Sequence, residues 1–121
     1  VLLAEDEPIN REVASELLAE VGLHVDIAVD GEEAVRKAAQ NAYVLILMDI
    51  QMPEMDGFQA TQGIHALPGC QRLPILALTA NAFADDRDRC LAAGMVDFIT
   101  KPIVPKLLYA ALLKWLPANR P

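Results

Sequence analysis

The sequence predicts an α/β domain: a doubly wound, five-stranded parallel sheet in the order 2-1-3-4-5, alternating with five helices. Three observations predict it. Val1-Leu2-Leu3-Ala4, Val44-Leu45-Ile46-Leu47-Met48 and Leu73-Pro74-Ile75-Leu76-Ala77-Leu78-Thr79 are short apolar runs, which read as strands buried on both faces. Stretches with helical spacing separate them. The connections are short, which forces parallel strands and right-handed crossovers.

The first strand, Val1 to Ala4, ends at Glu5-Asp6-Glu7. Pro8 then suits the first position of a helix, and the acids before it favour a helix N-terminus. Ile9, Val13, Leu17, Leu18 and Val21 form the stripe of that helix, and Gly22 ends it with a left-handed cap. Val25, Ile27 and Val29 alternate with His24, Asp26 and Ala28, as in a half-exposed edge strand. Asp30-Gly31-Glu32-Glu33 reads as a capping box before a second helix with Ala34, Val35, Ala38 and Ala39 on its apolar face. The central strand follows and exits at Asp49, where the sheet should meet solvent. Gln51-Met52-Pro53-Glu54-Met55-Asp56-Gly57 is a loop by its Pro, Asp and Gly. Met52 and Met55 are expected to pack beneath it.

Phe58 to Ala66 predicts a third helix, weakened by Gly63 at about 1 kcal/mol relative to Ala. Pro68-Gly69 closes it and the fourth strand leads to Thr79. A fourth helix runs from about Ala84 to Ala93 and stops at Gly94. Its apolar stripe is thin (Phe83, Cys90, Leu91), so it is expected to be loosely held. Met95 to Thr100 is the last strand. Ile103 to Leu116 is the last helix, with Leu107, Leu108, Ala111, Leu112 and Trp115 turned inward.

At 121 residues, 54% hydrophobic and 22% charged, the chain is one domain of globular composition. Its net charge of −7 argues against a broad nucleic-acid surface. No apolar run approaches the ~20 residues of a membrane span. The absence of an initiator Met and of a signal peptide leads us to expect a fragment of a longer, cytoplasmic chain. Cys70 and Cys90 have no metal spacing and read as reduced thiols; His24 and His65 read as surface residues.

The predicted strand order makes the first and third strands neighbours, with the topological switch between them. Glu5 and Asp6 leave the first strand there and Asp49 leaves the third; Thr79 and Lys101 leave the fourth and fifth. Two like charges at 4 Å repel by about 4 kcal/mol at an effective dielectric of 20. Three carboxylates in one crevice therefore call for protonation or a cation, and hard oxygen donors suit Mg²⁺. A metal, a lysine and a hydroxyl form a receptor for a phosphoryl group. With no general base nearby, a carboxylate on that metal can itself be the phosphoryl acceptor. Taken singly, each residue has a plainer role: a helix N-terminus for the acids, a loop cap for Asp49, a strand position for Thr79, a solvated charge for Lys101. Phe98 and Trp115 could serve only the core. It is the convergence at one sheet edge that carries the chemical reading.

These residues resemble, over the whole length, the receiver domain of two-component response regulators, a flavodoxin-like (βα)5 fold. The matching stretches are Glu5-Asp6, Met48-Asp49-Ile50-Gln51-Met52-Pro53-Glu54-Met55-Asp56-Gly57, Leu78-Thr79-Ala80-Asn81-Ala82 and Asp97-Phe98-Ile99-Thr100-Lys101-Pro102. The resemblance implies that Asp49 takes a phosphoryl group from a phosphohistidine or a histidine-phosphotransfer domain. Glu5, Asp6, Asp49 and the Gln51 carbonyl would hold Mg²⁺, and Thr79 and Lys101 would bind the phosphoryl oxygens. Phe98 would be the switch partner of Thr79, Gln51 and Asn81 would tune the phosphoryl lifetime, and Lys101-Pro102 would be a cis peptide. Glu5 stands where many stand-alone members carry Asp; its longer side chain suits direct or water-mediated metal contact.

Ala80-Asn81-Ala82-Phe83-Ala84 and Ala92-Ala93-Gly94-Met95 look most like receivers of hybrid sensor histidine kinases. That implies a kinase parent anchored in the inner membrane, with no membrane contact from this domain, and a homodimer through the face formed by helix 4, strand 5 and helix 5. A stand-alone response regulator, a receiver-like interaction module that is never phosphorylated and a flavodoxin-like cofactor binder are the alternatives. Glu5-Asp6-Glu7 would repel a bare phosphate, which argues against the last.

Overall fold

The computed structural model describes residues 1–52, 55–80, 84–101 and 103–116, with side chains described outside 84–86. The elements are β1 (Leu2–Ala4), α1 (Pro8–Glu20), β2 (Asp26–Ala28), α2 (Gly31–Gln40), β3 (Ile46–Asp49), α3 (Gly57–His65), β4 (Ile75–Thr79), α4 (Ala84–Ala93), β5 (Asp97–Thr100) and α5 (Pro105–Trp115). All strand pairs are parallel, in the order β2-β1-β3-β4-β5. The predicted fold class and strand order are those observed.

The continuous apolar runs earn their burial by serving two cores at once. Successive strand side chains point to opposite faces. Leu2, Ala4, Ile46, Met48, Ile75 and Ala77 face α2, α3 and α4, meeting Ala34, Ala38, Ala60, Ile64 and Cys90. Leu3, Leu47, Leu76 and Leu78 face α1 and α5, meeting Ala14, Leu18, Leu108, Ala111 and Leu112. Each such leucine, fully buried, contributes about 1.5–3 kcal/mol of hydrophobic stabilisation before its ordering entropy is subtracted. Two helix layers thus hold the strand ends in fixed register.

Several local expectations change. On α1 the buried residues are Ala14 and Leu18, while Ile9, Val13 and Val21 are exposed. The sheet accepts a small residue at Ala14, so the buried stripe lies one position round from the bulky one. In β2 Ala28 is buried and Val29 exposed, because Ala28 pairs with Ala4 beneath α2 while Val29 has left the strand. Ala39 is exposed on α2, and Leu107 is exposed on α5 beside the buried Leu108. Trp115 is half-buried, its Nε1 donating to Asp97 Oδ2 at 2.9 Å.

Caps set the helix starts. Glu7 accepts from the backbone N–H groups of Ile9 and Asn10, with Pro8 at the first helical position. Asp30 accepts from Glu33 N, while Glu33 reaches back one residue further than a capping box requires, to Val29 N. Asp56 and Gln59 make a complete capping box, which starts α3 one residue before the predicted Phe58. Gly22 has a φ of 81°, the left-handed conformation foreseen for it. His65 is half-buried rather than at the surface, its Nε2 meeting the Leu73 carbonyl at 3.1 Å. Cys70 and Cys90 are not joined in a disulfide.

Candidate functional site

The register assembles the site. Ala4 pairs with Met48, so the next residues of the two strands, Glu5 and Asp49, leave the sheet side by side. Asp49 pairs with Leu78, one residue before Thr79, and Thr79 pairs with Thr100, one residue before Lys101. The Lys101 backbone N–H then donates to the Thr79 carbonyl at 2.8 Å, which closes the row. Four strand ends therefore meet at one edge, as the strand order required.

The carboxylates converge. One ligand oxygen each from Glu5, Asp6 and Asp49 lies within 4.8 Å of the others. Asp6 is half-buried, but Glu5 and Asp49 are only 1% and 3% exposed. Asp49 thus does not meet open solvent at the strand exit, as its position suggested. It is covered, because Lys101 lies across it: Lys101 Nζ is 2.9 Å from Glu5 Oε1 and 2.9 Å from Asp49 Oδ2. The second Asp49 oxygen accepts from the Gln51 backbone N–H at 3.0 Å.

One lysine does not satisfy the acids. Among the described residues, Glu5 Oε2 is the one buried side-chain N or O atom without a hydrogen-bond partner. Burial, and then the neighbouring Asp49 carboxylate, push the Glu5 carboxyl up from 4.5 to about 7, against the opposing pull of Lys101. Burial alone would lower the Lys101 ammonium, but hydrogen bonds to Glu5 and Asp49 hold it above its ordinary value. An unpartnered buried carboxylate oxygen amid three hard oxygen donors fits a divalent cation of the Mg²⁺ type.

Two glycines make room for this arrangement. A Cβ on Gly57 would collide with the Asp49 carbonyl oxygen and lie 2.7 Å from Ile50 Cα, so α3 starts directly against the exit of β3. A Cβ on Gly31 would collide with the Met55 carbonyl oxygen. Met52 is buried and Met55 packs against the core, as expected of the pair. The guanidinium of Arg11 donates to the Glu5 carbonyl at 3.1 Å and steadies the turn after β1. Neither glycine contact nor Arg11 was foreseen; Asp56 with Gln59 was the available signal for the first, while the others require three-dimensional proximity.

Thr79 is buried at the end of β4, and Phe98 is half-buried on the α4 side of β5. Asn81, Pro102 and thus the predicted cis peptide lie outside the described residues. No described helix is long and apolar enough to cross a membrane.

The model of the response regulator receiver domain matches residues 1–113. The chain belongs to this family. It is 41% identical over 119 residues to the signal transduction histidine-protein kinase BarA of Escherichia coli K12, covering 98% of this chain but 13% of that relative. It superposes with a TM-score of 0.88 and 44% identity on the receiver domain of the sensor histidine kinase PA1611 of Pseudomonas aeruginosa PAO1, covering 94% of this chain and 93% of that one. That receiver carries a magnesium ion coordinated in its active-site cleft. A third similar receiver, that of the Saccharomyces cerevisiae response regulator Ssk1, was solved with the histidine phosphotransfer signaling protein Ypd1 (TM-score 0.85, 27% identity, covering 94% and 86%). The receiver family and the phosphorelay class of function expected from the motifs are thus the ones found.

Proposed function

We propose that this receiver accepts a phosphoryl group on Asp49 from a phosphohistidine, directly from a kinase or through a histidine-phosphotransfer domain. The observation that carries the reading is the Glu5-Asp6-Asp49 cluster with Lys101 bridging two of its members at 2.9 Å. An Asp49 carboxylate oxygen attacks phosphorus, the phosphorus–nitrogen bond breaks, and the imidazole nitrogen leaves with the bonding electrons. The product is an acyl phosphate. Lys101, already within reach of Asp49, neutralises the phosphoryl oxygens, and Thr79 supplies a hydroxyl to one of them. Glu5, Asp6, Asp49 and the Gln51 carbonyl hold Mg²⁺, which when bound neutralises charge on the transferring group. Gln51 and Asn81 tune the phosphoryl lifetime.

Phosphorylation adds about −1.5 to −2 charges. Thr79 moves to the new oxygens, and Phe98 turns into the space it leaves. The face formed by α4, β5 and α5 is altered and forms the homodimer or the contact with a downstream partner. A nearly complete switch, from 1:99 to 99:1, needs about 5.5 kcal/mol of differential stabilisation, within reach of several charge-assisted hydrogen bonds. The parent chain is a hybrid sensor histidine kinase anchored in the inner membrane, with this domain in the cytoplasm; the chain spans only 13% of BarA, which leaves ample length for sensor and kinase domains.

Intact mass after incubation with acetyl phosphate, with and without Mg²⁺, tests the chemistry on wild type and Asp49→Asn. The expected result is one phosphoryl adduct that requires both Mg²⁺ and Asp49. An adduct of equal yield on Asp49→Asn would place the acceptor elsewhere. Absence of both adduct and Mg²⁺ binding would favour an interaction module that is never phosphorylated.

A further inference from the structure

Among the described side chains of α4, apolar burial does little to seat the helix. Its described buried residues are Cys90 and Ala93, and Leu91 is 62% exposed. Two arginines flank this narrow seam. Residues two apart on a helix project about 200° from each other, so Arg87 and Arg89 reach to opposite sides of α4. The Arg87 guanidinium lies over the Phe98 ring of β5, 5.1 Å from its centre. The Arg89 guanidinium lies over the Phe58 ring of α3, 4.5 Å from its centre. A cavity of about 130 Å³ lies beside the first contact, lined by Arg87, Cys90, Leu91, Val96, Asp97 and Phe98. The backbone beneath the ring is held in the sheet, where Phe98 pairs with Ala77 of β4. The ring can therefore move while the strand stays.

We propose that the Arg87–Phe98 stack is a releasable clasp holding the Phe98 ring outward, and that Arg89–Phe58 is the fixed pivot on which α4 resettles when the clasp opens. Arg87 is then a positioning residue that sets the resting balance of the switch. The inference rests on the reading of Phe98 as the residue that turns inward on phosphorylation. When the ring turns away from α4, the guanidinium loses its aromatic face and one edge of α4 is freed. The Arg89 edge, whose ring belongs to a different helix, keeps its contact.

The test uses the protein labelled with 4-fluorophenylalanine, whose three Phe residues give three fluorine resonances. Spectra are taken at rest and after acetyl phosphate with Mg²⁺. In Arg87→Ala the resting Phe98 resonance should move toward its phosphorylated position, with the inward-to-outward ratio raised about two- to fivefold, the scale of an exposed cation–π contact. Arg87→Lys should restore most of the wild-type position. Arg89→Ala should shift the Phe58 resonance and leave the Phe98 ratio unchanged. A Phe98 ring that moves on phosphorylation but ignores Arg87→Ala overturns the clasp alone. A wild-type ring that does not move on phosphorylation overturns the switch reading and the clasp with it.

Discussion

Glu5→Gln should make the metal-free domain more stable at neutral and alkaline pH. The folded protein holds the Glu5 carboxyl at about 7 against an ordinary 4.5, so between these values the folded state binds a proton that the unfolded chain has released. A carboxyl raised in this way costs stability as pH rises from 4.5 to about 7, and the loss is complete above that. Each tenfold change in proton affinity corresponds to about 1.4 kcal/mol, so the full penalty is roughly 3 kcal/mol. Gln imitates the protonated acid throughout. Its amide oxygen can still accept from Lys101, and its amide nitrogen replaces the unpartnered Oε2. The stability difference between variant and wild type should therefore grow by roughly 2–3 kcal/mol from about pH 5 to about pH 8. Urea denaturation in EDTA measures it at both pH values. Comparing the two pH values cancels any constant difference between acid and amide. Mg²⁺ should narrow the gap: at 100 times its dissociation constant it adds about 2.7 kcal/mol to a protein that binds it, close to the size of the penalty, and the variant binds it less well. A difference that stays flat across this pH range would refute the claim that Glu5 is held protonated in the metal-free protein.

Gly57→Ala should lose about 1–3 kcal/mol in urea titration, because the new methyl group meets the backbone of Asp49 and Ile50, which cannot rotate away; a neutral result would mean that α3 can shift off the end of β3. Thr79→Ala should still take up the phosphoryl group by mass while its amide chemical shifts in α4, β5 and α5 respond less than in wild type; equal responses would remove Thr79 from the switch. Tyr43→Phe tests the far end of the sheet, where the Tyr43 hydroxyl donates to Asp26 at 2.7 Å and holds that carboxyl below its ordinary value. The stabilisation is present above the ordinary Asp value and lost as pH falls through the lowered one. The wild-type advantage in urea midpoint should therefore narrow in acid, and a constant gap would show that the bond does not discriminate between the charge states of Asp26.

How far the sequence could be read depended on the range of the interaction. Strand order followed from local patterns, since Leu2 to Ala4 and Ile46 to Met48 carry no polar face and must lie inside the sheet. That order alone brought Glu5, Asp6, Asp49, Thr79 and Lys101 to one edge. What sequence could not supply was the rotation of each helix. Ile9 and Val13 look like core and lie outside, because Ala14 packs closer to the sheet than a larger residue could. Nor could it supply the burial of Asp49, which depends on a lysine more than fifty positions away folding back over it. The arginine stacks on Phe58 and Phe98 were hidden for the same reason, since each pairs Arg87 or Arg89 with a ring on another element.

The bond from Trp115 Nε1 to Asp97 has an optical consequence. Trp115 is the one tryptophan in the chain, so all indole emission comes from a ring tied to the residue immediately before Phe98. The Lys114 ammonium lies 5.3 Å from the centre of that same ring. A carboxylate on the indole nitrogen and an ammonium near its face make the emission wavelength sensitive to the local field. The domain therefore carries a fluorophore of its own where the last residue of α5 meets the first residue of β5, and its colour can follow a change at the opposite end of β5 without any label.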